Sequence, residues 1–225
     1  MNAHAPVASF ATASAVTSAV RFIDCQRIAP EPWANGGGTT RTIARGSEAG
    51  GGAAWRVSLA TLEGPAKFSQ FTGYDRTLLL ADDGAIDLHS QDGLLQARAG
   101  QPVRFSGDLH VWVNLPARPV SVLNVMCRRG AARARVNVAS HSLRVTPAAT
   151  QLLVSLAGQW SVESSLLRGI TLAPFHALWI SGRPEELALR PSGPGVQLAS
   201  VAIDLLNEGL TDGSVDVLLP PFSAR

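Results

Sequence analysis

The sequence predicts an all-β protein, and two features of the chain support this. Short runs rich in Val, Leu, Ile and Thr recur along the 225 residues, and each is ended by Gly, Pro, Asp or Asn. Within "WRVSLAT" the apolar Trp55, Val57 and Leu59 alternate with Arg56 and Ser58, which is the period of a strand with one buried face. Helical periodicity is scarce. Many short strands with turn signals about every ten residues are typical of a sandwich or barrel.

The predicted strands follow one another along the whole chain. In order, the clearest runs are "RTIARG", "WRVSLATL", "RTLLLADDG", "AIDLHSQDG", "PVRFSGD", "PVSVLNVMCRRG", "TQLLVSLAG", "HALWISG" and "VQLASVAIDLL". Each combines β-branched or large apolar residues with a turn residue that ends the strand.

An internal repeat divides these strands into two similar units. "LLLADDGAIDL" from Leu78 and "LLVSLAGQWSV" from Leu152 turn at Gly84 and Gly158, which are 74 residues apart. Each unit continues with a proline within a later strand and a closing glycine: Pro102 and Gly107 in the first unit, Pro174 and Gly182 in the second. We therefore predict a disordered tail over residues 1–20, a first unit over 21–130 that carries the motifs, and a mostly structural second unit over 131–225.

The composition restricts the classes of function. Hydrophobic residues make up 46% of the chain, enough for a sizeable core, and 19 basic against 17 acidic residues leave a net charge of +2. This balance favours neither a nucleic-acid nor a membrane-surface partner, and no apolar run approaches the roughly 20 residues of a membrane span. Two cysteines cannot form a disulfide framework, so we expect free thiols and a cytoplasmic location. A signal peptide at the N-terminus is the alternative, although a basic n-region is missing.

The stretch "PWANGGGTTRTIA" (Pro32–Ala44) is the most unusual in the chain because it contains three consecutive glycines. It has neither the Gly-Lys-Ser/Thr of a phosphate loop nor the Gly-x-Gly-x-x-Gly of a dinucleotide loop. A strained turn or bulge that enters a strand would explain one or two of the glycines. The polar and aromatic residues around them indicate in addition that bare backbone forms one wall of a pocket.

Polar residues on otherwise apolar strands are candidates for the rest of that pocket. Arg56 and Ser58 share one face of a predicted strand, Arg76 follows "FTGYD", and Asn124 lies within "SVLNVM". A planar guanidinium donates two parallel hydrogen bonds to a carboxylate, and glycine N–H groups could hold a second oxygen. These residues together predict a site for a small acidic metabolite. Solvated positions on the outer face of a strand are the alternative for each arginine.

A second motif resembles the cupins. Gly107, His110 and Asn114 have the Gly-x-x-His-x-x-x-Asn spacing of the second conserved cupin box, which with the repeat implies two fused cupin-like units, a bicupin. The metal-binding His-x-His of the first box is missing, and its region offers only His89. Because zinc or iron is normally held by three or four protein ligands, we expect no metal and no other cofactor. A metal-assisted cupin hydrolase or isomerase that uses His110 is the alternative.

Four stretches resemble the HutD/Ves family in order and spacing: "PWANGGGTTRTIA", "WRVSLATLEGPAKFSQFTGYDRTLLLADDG", "VRFSGD" and "LNVMCRRG". The resemblance extends from Arg21 to Gly130 and is weaker beyond. It implies a bacterial cytoplasmic bicupin that modulates histidine utilisation, with a pocket for an intermediate such as N-formylglutamate or urocanate. The family pattern has an aspartate where this chain has Val122.

The resemblance marks one set of ligand-binding residues: Trp33, Asn35, Gly36, Gly37, Gly38, Thr39, Arg41, Arg56, Ser58, Phe71, Arg76, Asn124, Met126 and Arg128. We found no convincing nucleophile and base pair, so the leading hypothesis is metabolite binding without catalysis. A third hypothesis is that the protein acts by binding another protein or a second copy of itself. Pairing of strands between two copies would produce a homodimer.

Overall fold

A computed structural model describes residues 19–47, 52–114, 118–146, 148–182 and 185–206. In these ranges the chain forms strands and one short 3-10 helix, Cys25–Arg27. The strands are β1 (Ala19–Asp24), β2 (Glu31–Pro32), β3 (Gly38–Ser47), β4 (Ala53–Leu62), β5 (Ala66–Lys67), β6 (Tyr74–Leu80), β7 (Ala85–Ser90), β8 (Gly93–Arg98), β9 (Val103–Ser106), β10 (Val111–Val113), β11 (Val120–Arg128), β12 (Ala132–Ala139), β13 (Leu143–Val145), β14 (Thr150–Glu163), β15 (Ile170–Leu172), β16 (His176–Ser181) and β17 (Leu187–Leu205). The predicted all-β fold is confirmed.

The strands form three antiparallel sheets. One has six strands in the order β2-β3-β4-β11-β6-β9, and a second has four in the order β5-β10-β7-β8. The third has the order β1-β16-β14-β17-β12, with β15 beside β14 and β13 beside β17. No helix in the described ranges is long and apolar enough to cross a membrane.

The first half of the molecule is a sandwich of the six-stranded and four-stranded sheets. Side chains of successive residues point to opposite faces of a strand, so Leu78, Leu80 and Val122 face the four-stranded sheet. They pack there against Ile86 and Leu88 and close the apolar end of this interior. Leu79, Leu123 and Val125 point the other way, toward the second half.

The second half folds one seven-stranded sheet around its own core. The long strands β14 and β17 pair along most of their length, with register shifts between Ser155 and Gln159. Trp160, Leu172, Leu178 and others fill the interior. The sheets bend over this core without closing, which gives the half a sandwich-like form.

The two halves pack back to back through a third apolar cluster. Trp55, Val57 and Leu123 of the six-stranded sheet contribute to it from one side, and Val154 and Val201 from the other. The alternation predicted for "WRVSLAT" therefore separates a face toward the second half from a face toward the interior of the first. Cys25 and Cys127 are buried and free.

The chain changes from one half to the other at the turn after Arg128, where the N–H of Ala131 donates to the carbonyl of Arg128. Strand β1, which the sequence places in the first unit, pairs with β16 of the second half. It includes Ala19 and Val20 of the predicted tail, whereas residues 1–18 and 207–225 lie outside the described ranges. The division into two units of unequal function remains a prediction.

The pairing register of the strands shows which residues of the two halves occupy equivalent positions. Leu78 of β6 lies opposite Asn124 of β11, and Leu153 of β14 lies opposite Ser200 of β17. Leu78 is therefore equivalent to Leu153, because each faces the interior of its own half. The sequence alignment of Leu78 with Leu152 is one residue out of register, since Leu152 faces the cluster between the halves.

Candidate functional site

The interior of the first half is apolar at one end and polar at the other, where it opens into a cavity of about 380 Å³. Ala60, Leu78 and Val122 line its apolar end. The wall is formed by Arg56, Arg76 and Asn124, together with Phe68 and Phe71. Glu31, Trp33 and Asn35 line the cavity from the segment around the glycine run.

Strand pairing brings the polar wall together from distant parts of the chain. Met126 of β11 lies between Arg56 of β4 and Arg76 of β6. One step along the same face, Asn124 lies opposite Ser58. All five residues share the inner face of the sheet. Arg56, Arg76 and Asn124 line the cavity, whereas the predicted site residues Ser58 and Met126 lie beside them without lining it.

Arg76 is the most buried charge in this wall, with 6% of its surface exposed. Its Nη1 donates to the carbonyl of Ser69 (3.2 Å) and its Nη2 to Oδ1 of Asn124 (3.3 Å), while its buried Nε has no hydrogen-bond partner among the described residues. The rings of Phe68, Phe71 and Phe105 surround the guanidinium at 5.2, 5.5 and 5.1 Å.

Burial and, to a smaller extent, the neighbouring charge of Arg56 lower the pKa of Arg76 to about 10. Among the described residues no carboxylate lies within 4.0 Å of its guanidinium. The charge is thus held by aromatic faces and by neutral oxygens.

Arg56 is the second cation of the wall and is only partly buried. Its Nη2 donates to the sulfur of Met126 (3.4 Å), and its guanidinium lies 5.2 Å from the centre of the Phe71 ring. Burial lowers the pKa of Arg56, while the carboxylate of Glu31 acts in the opposite direction. Among the described residues, Glu31 is therefore the one carboxylate that both lines the cavity and acts on one of its arginines.

Ser58 and Asn124 add neutral hydrogen-bonding groups. Ser58 is 1% exposed, and its Oγ forms no hydrogen bond with any described residue. Asn124 uses its Oδ1 to accept from Arg76, which leaves its amide as a donor. The wall therefore presents donors, which suits an acceptor such as a carboxylate.

The glycine run builds the turn behind the cavity wall. Gly36 has a φ of +69°, and a Cβ on Gly38 would lie 2.2 Å from the carbonyl oxygen of Thr61, which leaves no room for a side chain. The N–H groups of Gly36 and Gly37 donate to the carbonyl of Trp33 and to Oδ1 of Asn35. None of Gly36–Gly38 lines the cavity, so the expectation of bare glycine backbone as a pocket wall is wrong.

This turn fixes two side chains at the cavity. Trp33 donates from Nε1 to Oγ1 of Thr40 at 2.7 Å, and its ring contacts Phe68 edge-on. Asn35 accepts from Gly37 and donates to the carbonyl of Lys67 (2.9 Å). The glycines are thus required for the position of Trp33 and Asn35.

Three further predicted site residues lie elsewhere. Thr39 and Arg41 project from β3 on the face opposite Thr40, and Arg41 donates to the carbonyl of Ile28 (3.1 Å). Arg128 is exposed at the end of β11, beyond Met126. None of the three lines the cavity.

Sequence reasoning missed several residues of the site. Glu31, Phe68 and Ser69 line it, and Phe105 contacts Arg76 from β9. The pair Phe68 and Phe71 directly before Arg76 was a usable signal, because aromatic rings often accompany arginine. The contribution of Phe105 depends on the pairing of β6 with β9, which the sequence does not reveal.

The residues of the cupin-like box have other surroundings. His89 stacks on Trp112 at 5.7 Å on the outer side of the four-stranded sheet, and His110 is exposed. A Cβ on Gly107 would lie 2.5 Å from the carbonyl oxygen of Phe71, so this glycine permits close packing of backbone. In the described ranges no three His, Cys, Asp or Glu side chains form a group that could hold a metal ion.

Solved structures support the cupin fold. A cupin 2 conserved barrel domain protein from Leptotrichia buccalis matches over 84% of this chain and 99% of its own, with a TM-score of 0.50 and 8% identity. HutD from Pseudomonas fluorescens SBW25 matches over 83% of this chain and 99% of its own, with a TM-score of 0.72 and 23% identity. The predicted cupin-like architecture is confirmed, in the sandwich-like form described above.

Sequence comparison identifies the family. Protein Ves of Citrobacter koseri is 28% identical over 176 residues, which cover 77% of this chain and 90% of Ves. The model of the HutD family matches residues 25–198, which include the glycine motif and every residue of the cavity wall. The chain belongs to the HutD family.

Proposed function

We propose that the protein binds a small acidic metabolite in the first-half cavity and modulates histidine utilisation without catalysing a reaction. One observation carries the proposal: Arg76 is buried at the cavity with no carboxylate partner among the described residues. An uncompensated buried charge is strongly unfavourable. An anionic ligand would supply the missing countercharge.

The chemistry of the wall fits a carboxylate. Arg56 and Arg76 both contribute guanidinium N–H groups to the cavity wall, and Asn124 adds a neutral amide beside them. Charge-assisted hydrogen bonds of this kind contribute about 1.5–3 kcal/mol each. The apolar end at Leu78 would accept a short carbon chain or a ring.

The size of the cavity and the family relation restrict the set of candidate ligands. About 380 Å³ is in the range of small-metabolite sites. Membership of the HutD family supports a connection with histidine utilisation. N-formylglutamate and urocanate are therefore the first ligands to test, followed by formiminoglutamate and glutamate.

Thermal denaturation with each compound, followed by calorimetry, tests the proposal. A ligand at a hundred times its Kd should stabilise the protein by about 2.7 kcal/mol. We expect stabilisation by at least one acid and not by its neutral amide. Chromatography of the same mixtures should show unchanged ligand, whereas product formation would favour a cupin-type enzyme. If none of the acids stabilises the protein, the proposal is wrong.

A further inference from the structure

The ring of Phe71 is shared by the two cations of the cavity. It lies 5.2 Å from the guanidinium carbon of Arg56 and 5.5 Å from that of Arg76. Phe68 and Phe105 also contact a guanidinium, but each contacts only Arg76. Among the described residues Phe71 is thus the single aromatic side chain in contact with both charges.

The shared ring reduces the electrostatic cost of placing two cations close together. Two guanidinium groups on the same wall repel each other, and the charge of Arg56 contributes to the lowered pKa of Arg76. The negative face of an aromatic ring attracts a cation by about 0.5–2 kcal/mol. It does so without occupying the N–H groups that an acidic ligand would use, in contrast to a carboxylate of the protein itself.

The backbone around Phe71 is held firmly in place. Its N–H donates to the carbonyl of Gly107 (2.8 Å), and its carbonyl accepts from the N–H of Tyr74 (3.1 Å). Gly107 in turn donates to the carbonyl of Tyr74 (2.7 Å). Because a side chain on Gly107 would collide with Phe71 and Tyr74, this packing requires glycine.

Asp108 fastens the same turn from outside the cavity. Its Oδ1 accepts from the N–H of Gly73 (2.9 Å), and its carbonyl accepts from Nε2 of Gln70 (2.7 Å). Its Oδ2 accepts from Ser106 (2.8 Å) and from Arg129. The carboxylate therefore joins the Gln70–Gly73 turn to the end of β9 and the turn after β11.

We infer that Phe71 is a positioning residue that holds the guanidinium groups of Arg56 and Arg76 together for one acidic ligand, and that Asp108 anchors the turn that presents it. The predicted effects on affinity rest on the proposed function, whereas the arrangement of the arginines is a property of the ligand-free protein. A ring that only fills space would instead be replaceable by leucine.

The first experiment compares Phe71→Leu with Phe71→Tyr, which retains the ring. Binding of N-formylglutamate and of its neutral diamide is measured by calorimetry on the full-length protein. We expect Phe71→Leu to weaken binding of the acid about tenfold, because two cation–ring contacts are lost. Phe71→Tyr should stay within about threefold of the original protein, and neither variant should change binding of the diamide more than the other.

The second measurement needs no ligand. The Nε–Hε resonances of Arg56 and Arg76 report the ring current of Phe71 in NMR spectra of the free protein. Phe71→Leu should shift both resonances, whereas Phe68→Leu should shift that of Arg76 more than that of Arg56. If no acid binds to the original protein, the proposed function fails but these shifts still test the positioning role.

Asp108→Ala and Asp75→Ala form a matched pair, since both aspartates contact Arg129 and only Asp108 accepts from Gly73. Asp108→Ala should move both arginine resonances and weaken binding several-fold, whereas Asp75→Ala should do neither. The two aspartate variants also test the inference if Phe71→Leu does not fold. Unmoved resonances in Phe71→Leu, failure of Phe71→Tyr to restore them, or equal effects of the two aspartate variants would overturn the inference.

Discussion

The two halves of the molecule place different side chains at equivalent strand positions. Arg76 in the first half lies opposite Met126, and Gln151 in the second lies opposite Ala202. Both point into the interior of their own half and are buried. Arg76 lines a cavity, whereas Gln151 donates to the hydroxyl of Ser200 (3.0 Å) within a packed core. One strand framework thus supports a charged cavity in one half and a closed interior in the other.

Arg56 and Arg135 are a second pair of residues at equivalent positions, and they differ in their ion pairing. Arg56 lies opposite Met126, and Arg135 lies opposite Ala202 on the other side of its strand. Arg135 is exposed and pairs with Asp204 at 2.9 Å. Arg56 is partly buried and has no such ion pair among the described residues. The cation of the first half is therefore available to an external anion.

The halves also differ in the strands that lie beside β4, which carries Arg56, and beside β12, which carries Arg135. In the first half β3 and β2 continue the sheet beyond β4, and they bring Trp33 and Asn35 to the cavity. In the second half β12 is the last strand of its sheet. The first half is therefore the common framework with two added strands, and the glycine run forms the turn between these two strands.

The most severe test introduces the first-half cation into the second half. Gln151→Arg would bury a charge beside the apolar second-half core that includes Trp160 and Leu178. We expect a loss of about 3–5 kcal/mol in the free energy of unfolding, as for other uncompensated buried charges. Urea denaturation measures this loss. The control is Gln159→Arg, the same substitution at an exposed site of the same strand, and equal effects of the two would contradict the comparison.

The reverse exchange removes the cation from the first half. Arg76→Gln copies the residue of the second half and should weaken binding of an acidic ligand roughly 10–150-fold, since a charge-assisted hydrogen bond is lost. The free energy of unfolding without ligand should not fall, because an unpaired buried charge is removed as well. Calorimetry and urea denaturation measure the two quantities. Arg41→Gln, outside the cavity, should leave binding unchanged.

A third test concerns the strands that only the first half adds. Gly38→Ala places a methyl group against the carbonyl oxygen of Thr61, so β3 must move away from β4. We expect a loss of about 1–3 kcal/mol in the free energy of unfolding. Gly36→Asn is the matched control, since no atom lies within 4 Å of its Cβ position and asparagine tolerates a positive φ. A similar loss in both variants would show that conformation, and not space, requires the glycines.

The sequence predicted the faces of individual strands better than the contacts between them. The alternation in "WRVSLAT" correctly placed Arg56 and Ser58 together, because a strand has a fixed period of two. The contact of Arg76 with Asn124 joins residues from separate strands, and it depends on a register that local pattern does not determine. The glycine run was correctly predicted to form a turn with unusual backbone geometry. Which side of this turn faces the cavity depends on the pairing of the whole sheet.

Asp108 illustrates a role that sequence reasoning could not assign. An aspartate after Ser-Gly is typical of a turn, and only the structure shows that Gly73 and Arg129 meet at its carboxylate. Gly107 was singled out as part of the second cupin box, whereas its contacts are with the backbone of Phe71 and Tyr74. In both cases the partners come from segments that are distant in the chain.

The smallest expected effect concerns pH and this same carboxylate. The N–H of Gly73, together with Arg129 and Ser106, lowers the pKa of Asp108 from 3.8 to about 2. Because the folded pKa lies below the unfolded one, the contribution of Asp108 to stability is complete above about pH 4 and is lost as the pH falls toward 2. Asp75, which shares Arg129, is the other acidic group facing this contact.

Urea denaturation of the ligand-free protein between pH 2 and pH 5 measures the contribution of Asp108. The original protein should lose more stability across this range than Asp108→Asn, which cannot titrate at that position. The arginine Nε–Hε resonances should shift over the same range in the original protein only. Parallel pH profiles for the two proteins would show that the carboxylate of Asp108 does not anchor the turn that presents Phe71.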